Sequence, residues 1–309
     1  MSKRFVMSLA VFFTFGASLA EAVDPLKCER ILILGDSITH AGHYTVDLEI
    51  GLRLATETSV PDVINLGLPS ETCSGLSERS HPFPRPNVHS RLDNALAKVM
   101  PDLVIVCYGM NDGIYHPFSK DRFAAYQDGI QKLVTKVQAT GAKVILLTPP
   151  PFDPVPLKAK PGKLQPPGAA RYDWRSVADT YDQVIKTYAD WILQNTVGAD
   201  QVIDVHTATV QFLAEQRKSK PSYFFAADGV HLNAEGHQVL ANAILAKWNV
   251  KPVRNPPPEL QKLVRQKERL MHDAWLSEVG HTRPGMKKGL PIERALKQRA
   301  KLNAQIKAL

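Results

Sequence analysis

Cysteine is scarce in this chain, which has three in 309 residues: Cys28, Cys73 and Cys107. So few cysteines cannot form a disulfide framework that would staple a chain of this length. None of them stands at the paired spacing of a structural zinc site, so no metal is predicted. Cys107 lies within an apolar run and is expected to pack as a small hydrophobic side chain.

Long hydrophobic runs are also rare, and the one that stands out is at the N-terminus. Lys3-Arg4 precedes an apolar stretch from Phe5 to Ala20, which is followed by Glu21-Ala22. A basic start, an apolar centre and a small-x-small cleavage site are typical of a signal peptide. An uncleaved anchor is the alternative, but the stretch is short for a bilayer span of roughly 20 residues. We therefore expect residues 1–22 to be a signal peptide, Val23 to begin the mature chain, and the protein to be exported, periplasmic or secreted, without a stable membrane anchor.

Most of the chain has no excess of either charge. Residues 251–309 hold 14 Lys/Arg and 5 Asp/Glu, a net charge of +9, whereas the first 250 residues have a net charge of −1. The basic character therefore belongs to the C-terminal segment. Such a segment can attract acidic polysaccharide, phospholipid headgroups or nucleic acid. A solvated helix face is the simpler interpretation, and no nucleic-acid partner is expected.

Five short apolar runs rich in β-branched residues predict strands, and segments with helical spacing separate them. The predicted strands are Arg30–Gly35, Asp62–Gly67, Asp102–Gly109, Ala142–Thr148 and Gln201–Val205. The predicted helices include Val46–Thr58, Arg91–Met100, Phe123–Thr140 and Ser176–Asn195, and Asn233 is the predicted N-cap of a later helix. This alternation indicates an α/β fold: a three-layer, doubly wound sandwich around a mostly parallel five-stranded sheet. Sites in such sheets form beyond the carboxyl ends of the strands.

A serine stands at the carboxyl end of the first predicted strand. The segment Leu34-Gly35-Asp36-Ser37 ends an apolar run, so Ser37 lies on a turn that leads from a strand into a helix. Such a turn exposes the hydroxyl and directs backbone N–H groups at a ligand. Ser37 is therefore a candidate nucleophile, although a serine at this position can also serve only as a helix N-cap.

Three further segments follow in order along the chain: a turn after Asn65, then Gly109-Met110-Asn111-Asp112, then Asp228-Gly229-Val230-His231. The spacing of Asp228 and His231 lets the carboxylate and the imidazole share one turn, so that the carboxylate can orient a general base. By itself such a pair is usually a surface turn, and an asparagine at a strand end is usually a turn residue. The order of all four segments is more specific than any one of them.

Together these segments resemble the SGNH (GDSL-type) hydrolase family of serine esterases, over roughly residues 30–247. The resemblance implies the flavodoxin-like form of the three-layer fold. It implies Ser37 as nucleophile, His231 as base and Asp228 as the partner of the base. It also implies three oxyanion donors: the Ser37 N–H, the Asn111 side-chain amide and a backbone N–H on the turn after the second strand. No cofactor is predicted, and the rival Gly-x-Ser-x-Gly signature does not occur in the chain.

The segment after the second strand departs from the family pattern. In Asn65-Leu66-Gly67-Leu68-Pro69-Ser70-Glu71-Thr72, Ser70 occupies the position where the family commonly has the donor glycine. A backbone N–H needs no particular side chain, so Ser70 is the predicted donor if its backbone conformation allows it. Gly67 is the alternative.

The resemblance leaves the substrate open. Export, polar loops such as residues 76–91 and the lack of an apolar stretch beside the site favour short-chain, mainly acetyl, esters on a small molecule or a polysaccharide. A lysophospholipase or thioesterase of the same fold is one alternative, and a non-catalytic carbohydrate-binding relative is another. The proline-rich segment Pro149–Pro167 is expected to be a stiff excursion, either a wall of the cleft or a surface loop.

The C-terminal segment differs in character from the rest. Lys251–Pro258 is a proline-rich linker, and an apolar stripe from Leu260 to Trp275 precedes a final basic helix, Ile292–Leu309. The main domain is the simplest surface to cover the stripe, and dimerisation is the alternative. The predicted organisation is a hydrolase domain at 23–250 and a basic helical extension at 251–309, which we expect to be a packing or anchoring appendage and not part of the catalytic site.

Overall fold

A computed structural model describes residues 23–56 and 58–309 of the chain. The predicted signal peptide, residues 1–22, lies outside the described residues. Within those two ranges, no helix is long and apolar enough to cross a membrane.

A five-stranded parallel sheet organises the body of the protein. The strands are β1 (Arg30–Gly35), β2 (Asp62–Asn65), β3 (Leu103–Cys107), β4 (Lys143–Leu147), β5 (Leu164–Gln165), β6 (Val177–Ala178) and β7 (Gln201–Ile203). The main sheet has the order β2-β1-β3-β4-β7 with all neighbours parallel, and β5 and β6 pair separately. Every residue of the central strand β3 is buried, which explains why its sequence is apolar throughout and not alternating.

Helices connect the strands and cover both faces of the sheet. They are α1 (Ser37–His40), α2 (His43–Ala55), α3 (Leu92–Val99), α4 (Lys120–Gln138), α5 (Tyr181–Asn195), α6 (Val205–Ser219), α7 (Ala234–Lys247), α8 (Pro258–Val279) and α9 (Ile292–Lys307). Because parallel crossovers are right-handed, the reversal of direction at β2 puts α2 on one face and α3, α4 and α5 on the other. Helix α2 packs against α7 and α8. The predicted α/β, doubly wound fold is confirmed, and the strand order is the flavodoxin-like one.

All four helices predicted with bounds begin at other residues than expected, α3 at Leu92 and α4 at Lys120. Helix α2 begins at His43 and not at Val46, because Gly42, at a φ of 76°, separates it from the short helix α1. Helix α5 begins at Tyr181, because the residues before it form β6. The predicted N-cap Asn233 does cap α7, where its side-chain oxygen accepts from the Gly236 N–H at 3.0 Å. Helix α6 was not among the predicted helices.

The proline-rich segment is only partly an excursion. Phe152, Asp153 and Leu157 are buried, so its first part belongs to the core. The residues from 158 to 171 are mostly exposed and include the short strand β5.

The C-terminal extension folds back on the main domain. Helix α8 lies against α2 and β2, and α9 packs on α8. The stripe residues Leu263, Val264, Met271 and Trp275 are buried, so the apolar stripe is covered within one chain. A buried ion pair fixes the same contact: Lys267 Nζ lies 2.7 Å from Glu49 Oε1 of α2.

Replacing Lys267 tests how much this ion pair stabilises the docked extension. We expect Lys267→Met to lower the free energy of unfolding by about 3 kcal/mol, because Glu49 would stay buried with one partner fewer. That value is at the low end for a broken buried pair, since Arg53 also bonds Glu49 at 2.8 Å. The control is Lys262→Met on the same helix, whose ion pair with Glu259 is exposed and should matter by less than about 1 kcal/mol. Equal losses in urea denaturation would contradict this account.

Candidate active site

Ser37 stands where the sequence predicts it, two residues past the end of β1. It is the first residue of α1, and Asp36 caps this helix by accepting the Ile38 N–H at 2.9 Å. Burial raises the pKa of Asp36 to about 7, against the opposing effect of that hydrogen bond and of the nearby His231. The cap therefore fixes the turn, while the Ser37 side chain remains partly exposed at the carboxyl edge of the sheet.

Ser37, His231 and Asp228 form one hydrogen-bonded chain. His231 Nε2 lies 2.9 Å from Ser37 Oγ, and His231 Nδ1 lies 2.6 Å from Asp228 Oδ2. Partial burial would raise the pKa of Asp228, but hydrogen bonds from the ring and backbone of His231 hold it well below the ordinary value. The bond to Asp228 in turn raises the pKa of His231, against the effect of burial. An ionised Asp228 can thus hold His231 with Nε2 directed at the serine hydroxyl.

The turn that carries Asp228 and His231 is anchored on the proline-rich segment. Gly229 has a φ of 80°, and a side chain there would meet the Asp153 carbonyl oxygen at 2.8 Å. The Asp153 N–H donates to the Gly229 carbonyl at 2.9 Å, and Arg217 pairs with the Asp153 carboxylate at 2.6 Å. The first part of Pro149–Pro167 therefore supports the turn that carries His231.

Asn111 follows β3, and hydrogen bonds hold its side-chain amide in one orientation. Its Oδ1 accepts from Arg85 Nη1 and from the Tyr115 hydroxyl, both at 2.9 Å. Its Nδ2 donates to the Glu71 carbonyl at 3.2 Å, which leaves the second N–H available to a ligand. Because both acceptor contacts go to the oxygen, the amide cannot flip without losing them.

The turn after β2 distinguishes the two candidates for the second backbone donor. Ser70 has a φ of 69°, the left-handed conformation that glycine adopts most easily, although the residue is a serine. No described residue accepts its N–H. The Gly67 N–H, in contrast, donates to Asn65 Oδ1 at 2.7 Å. A Cβ on Gly67 would lie 2.3 Å from the His40 backbone N, so this glycine serves close packing against α1. The geometry favours Ser70.

Sequence reasoning missed the buried charges behind this turn. Arg85 forms a two-point ion pair with Glu78 at 2.6 and 2.7 Å, and these side chains are nearly inaccessible. Arg91 pairs in the same way with Glu71, which also accepts from the Tyr108 hydroxyl at 2.6 Å. The sequence signal for this ion pair was weak, because Glu78 and Arg85 stand in a polar loop whose composition is typical of a solvent-exposed segment.

The sequence comparison decides the family. The model of the GDSL-like lipase/acylhydrolase family matches residues 33–239, more than half of the chain. The chain belongs to this family. The resemblance seen in the sequence is confirmed, and the protein is a hydrolase of carboxylic esters. No curated protein sequence matches the chain.

Solved structures share the fold of this family member. The acetylxylan esterase Axe2 from Geobacillus stearothermophilus aligns with a TM-score of 0.51 at 22% identity, over 74% of this chain and 97% of that chain. The acetyl xylan esterase AlAXEase aligns with a TM-score of 0.51 at 20% identity, over 70% and 98%. A gut microbial diltiazem-metabolizing enzyme aligns with a TM-score of 0.53 at 20% identity, over 74% of this chain but only 49% of that longer one. At these identities the similarity concerns the fold.

The C-terminal extension contacts the elements next to the candidate site of this hydrolase. Glu268 accepts from Asn65 Nδ2 at 2.7 Å, and His272 Nε2 lies 3.0 Å from the Gly67 carbonyl oxygen and 3.2 Å from His40 Nδ1. Asn65 also donates to the Thr39 carbonyl at 2.8 Å. Helix α8 therefore contacts both α1 and the turn after β2, whereas the hydrogen-bonded chain of Ser37, His231 and Asp228 is made without it. That the extension is not part of the catalytic site stays a prediction.

The described residues do not gather three His, Cys, Asp or Glu side chains into a group able to hold a metal ion. All three cysteines are free, and burial is the main cause that raises the pKa of the Cys107 thiol. The groups that remain at the site are a hydroxyl, an imidazole, a carboxylate and neutral N–H donors. This set is suited to nucleophilic acyl transfer.

Acidification should inactivate the hydrolase, because His231 must be neutral to accept the proton of Ser37. The contact with Asp228 raises the pKa of His231, so we expect kcat/KM to fall with a midpoint above the ordinary histidine value of about 6.5. Asp228→Asn should move the midpoint down and reduce the rate by roughly 10²–10⁴-fold. The measurement is kcat/KM for p-nitrophenyl acetate across pH; a rate that stays constant over about pH 5–8 would contradict His231 as base.

Removal of the Asn111 amide should reduce kcat more than it changes KM, because an oxyanion donor acts mainly on the transition state. We expect Asn111→Ala to lower kcat by roughly 10²–10³-fold. Tyr115→Phe removes one of the two donors that hold the amide and should have a smaller effect of the same kind. The control is Tyr126→Phe, which removes a buried hydroxyl bonded to the Tyr108 carbonyl and not to Asn111. Equal kinetics for the two tyrosine variants would argue against amide positioning.

Proposed function

We propose that the protein is an exported serine esterase that removes short acyl groups, above all acetyl, from carbohydrate through an acyl-enzyme on Ser37. The observation that carries the proposal is the unbroken chain from Ser37 Oγ through His231 to Asp228. Export is supported by the sequence pattern of residues 1–22.

The residues have defined roles in this reaction. His231 Nε2 takes the hydroxyl proton of Ser37 as Oγ attacks the ester carbonyl carbon, and the carbonyl oxygen becomes an oxyanion. The Ser37 N–H, the Ser70 N–H and Asn111 Nδ2 donate to that oxygen. His231 then gives its proton to the departing alcohol, which leaves an acyl-Ser37 ester. Water, deprotonated by His231, attacks this ester and releases the carboxylic acid and free Ser37.

The openness of the site supports a short acyl group on a large carrier. The side chains of Asp228 and His231 are each 56% exposed, so a polymer can approach without entering a tunnel. A long acyl chain would instead need an enclosed apolar cavity to cover it. The fold shared with two acetyl xylan esterases agrees with this choice.

The test compares acyl lengths on the chain from Val23 to Leu309. We expect turnover of p-nitrophenyl acetate to exceed that of the octanoate, acetate release from acetylated xylan, and an acetylated Ser37 in acid-quenched enzyme by mass spectrometry. Ser37→Ala should lower the rate by roughly 10³-fold or more, while circular dichroism remains unchanged. The control is Ser219→Ala, at the exposed end of α6.

Three outcomes would count against the proposal. Wild-type activity in Ser37→Ala would remove Ser37 as nucleophile. A preference for octanoate would favour a lysophospholipase or thioesterase. Binding of xylan without release of acetate from any ester would indicate a non-catalytic carbohydrate-binding protein.

A further inference from the structure

A cavity of about 920 Å³ lies beside the nucleophile helix, between the main domain and the C-terminal extension. One wall is the segment from His40 to His43, which joins α1 to α2. The opposite wall comes from α8 and from residues 285–290. Neither the family match nor the reaction proposed above assigns any role to this cavity.

The cavity begins one helical turn from Ser37. Ala41 lines the cavity and continues the helical backbone of α1, with its N–H bonded to the Ser37 carbonyl at 3.1 Å. Residues four apart on a helix lie on the same face, with Cβ atoms about 5–6 Å apart. The segment that lines the cavity is therefore continuous with the short helix that carries the nucleophile.

The lining carries four cations, which are Arg265, Arg269, Lys287 and Lys288. All four are exposed, and none makes an ion pair with a carboxylate in the described part of the chain. The two acidic side chains of the lining already have other partners. Glu268 accepts from Asn65 at 2.7 Å, and Asp273 lies 3.6 Å from His272 Nδ1.

Two histidines of the lining, His40 and His43, do not add to this charge at neutral pH. Burial and the neighbouring His272 lower the pKa of His40 to about 4, and burial with the nearby Arg265 lowers the pKa of His43. The positive potential of the cavity therefore comes from arginine and lysine, and a concave wall concentrates such a potential on a bound anion.

We propose that this cavity is an anionic subsite, so that the preferred substrate is an acylated polysaccharide bearing carboxylate or sulfate groups. The inference rests on the proposed ester hydrolysis at Ser37. Arginine forms two-point hydrogen bonds with such oxyanions, and lysine supplies a point charge that is not bound to one geometry. Binding of the charged groups in this cavity, beside the helix that carries Ser37, would hold an acyl ester of the same polymer near its hydroxyl.

The first experiment measures binding apart from catalysis. Calorimetric titrations of the Ser37→Ala variant use polygalacturonate, dextran sulfate and unsubstituted neutral xylan. We expect one or both anionic polymers to bind more tightly than xylan, with an affinity that falls as salt rises. The two anionic arms show whether carboxylate or sulfate is preferred. Equal affinity for all three polymers would overturn the subsite, and tighter binding to phosphatidylglycerol vesicles than to either anionic polymer would indicate a lipid surface instead.

The second experiment uses matched charge removal. The triple variant Arg269→Gln, Lys287→Gln, Lys288→Gln removes three positive charges from the lining of the cavity. The control triple variant Arg294→Gln, Lys297→Gln, Lys301→Gln removes three exposed charges from α9, outside the cavity. We expect the cavity variant alone to raise KM for acetylated polygalacturonate or acetylated dextran sulfate by roughly tenfold, with kcat for p-nitrophenyl acetate unchanged in both.

The outcomes separate this proposal from the catalytic one. Equal effects of the two triple variants would mean general charge attraction, and no effect of either would mean that the cavity does not bind substrate. Both results overturn the subsite while ester hydrolysis stands. Conversely, tight binding of an anionic polymer that only the cavity variant loses would support the subsite even if wild-type protein hydrolysed no ester.

Discussion

The parallel arrangement of the sheet is the constraint on which the candidate site depends. Because β1, β2 and β3 run in the same direction, their carboxyl ends meet at one edge, and each is followed by a turn that faces the same space. Ser37, Ser70 and Asn111 all stand on these turns. His231 reaches them from 194 residues away in sequence to lie 2.9 Å from Ser37 Oγ. His231 stands just before α7, which packs against α2.

Buried ion pairs make this edge rigid. Neutral N–H donors stabilise an oxyanion best when they need not reorganise during the reaction. Here Arg85 fixes the Asn111 oxygen and also donates to the Ser70 carbonyl at 3.3 Å, so one guanidinium holds two of the three candidate donors. Glu78 balances its charge. Burial of charged groups costs free energy unless they are paired. Each of the two buried arginines, Arg85 and Arg91, forms two hydrogen bonds with one carboxylate.

The C-terminal extension serves the fold and the site together. Strand β2 is an edge of the main sheet, and α8 packs against it. The same helix bonds Asn65 through Glu268 and approaches the Gly67 carbonyl through His272. Its outward face forms a wall of the basic cavity. Packing against the edge strand, support of the turn after β2 and two of the four cations of the cavity, Arg265 and Arg269, therefore come from one helix.

The sequence by itself determined the elements whose signals are local. Alternating apolar runs and helical segments predicted the parallel sheet, and four short motifs in order predicted Ser37, Asn111, Asp228 and His231 as a group. The choice between Ser70 and Gly67 needs the tertiary structure, since it depends on a φ angle and on where one N–H is already bonded. The tertiary structure alone also decided the place of the extension. Contacts such as those of α8 join residues about 200 positions apart, and no local pattern encodes them.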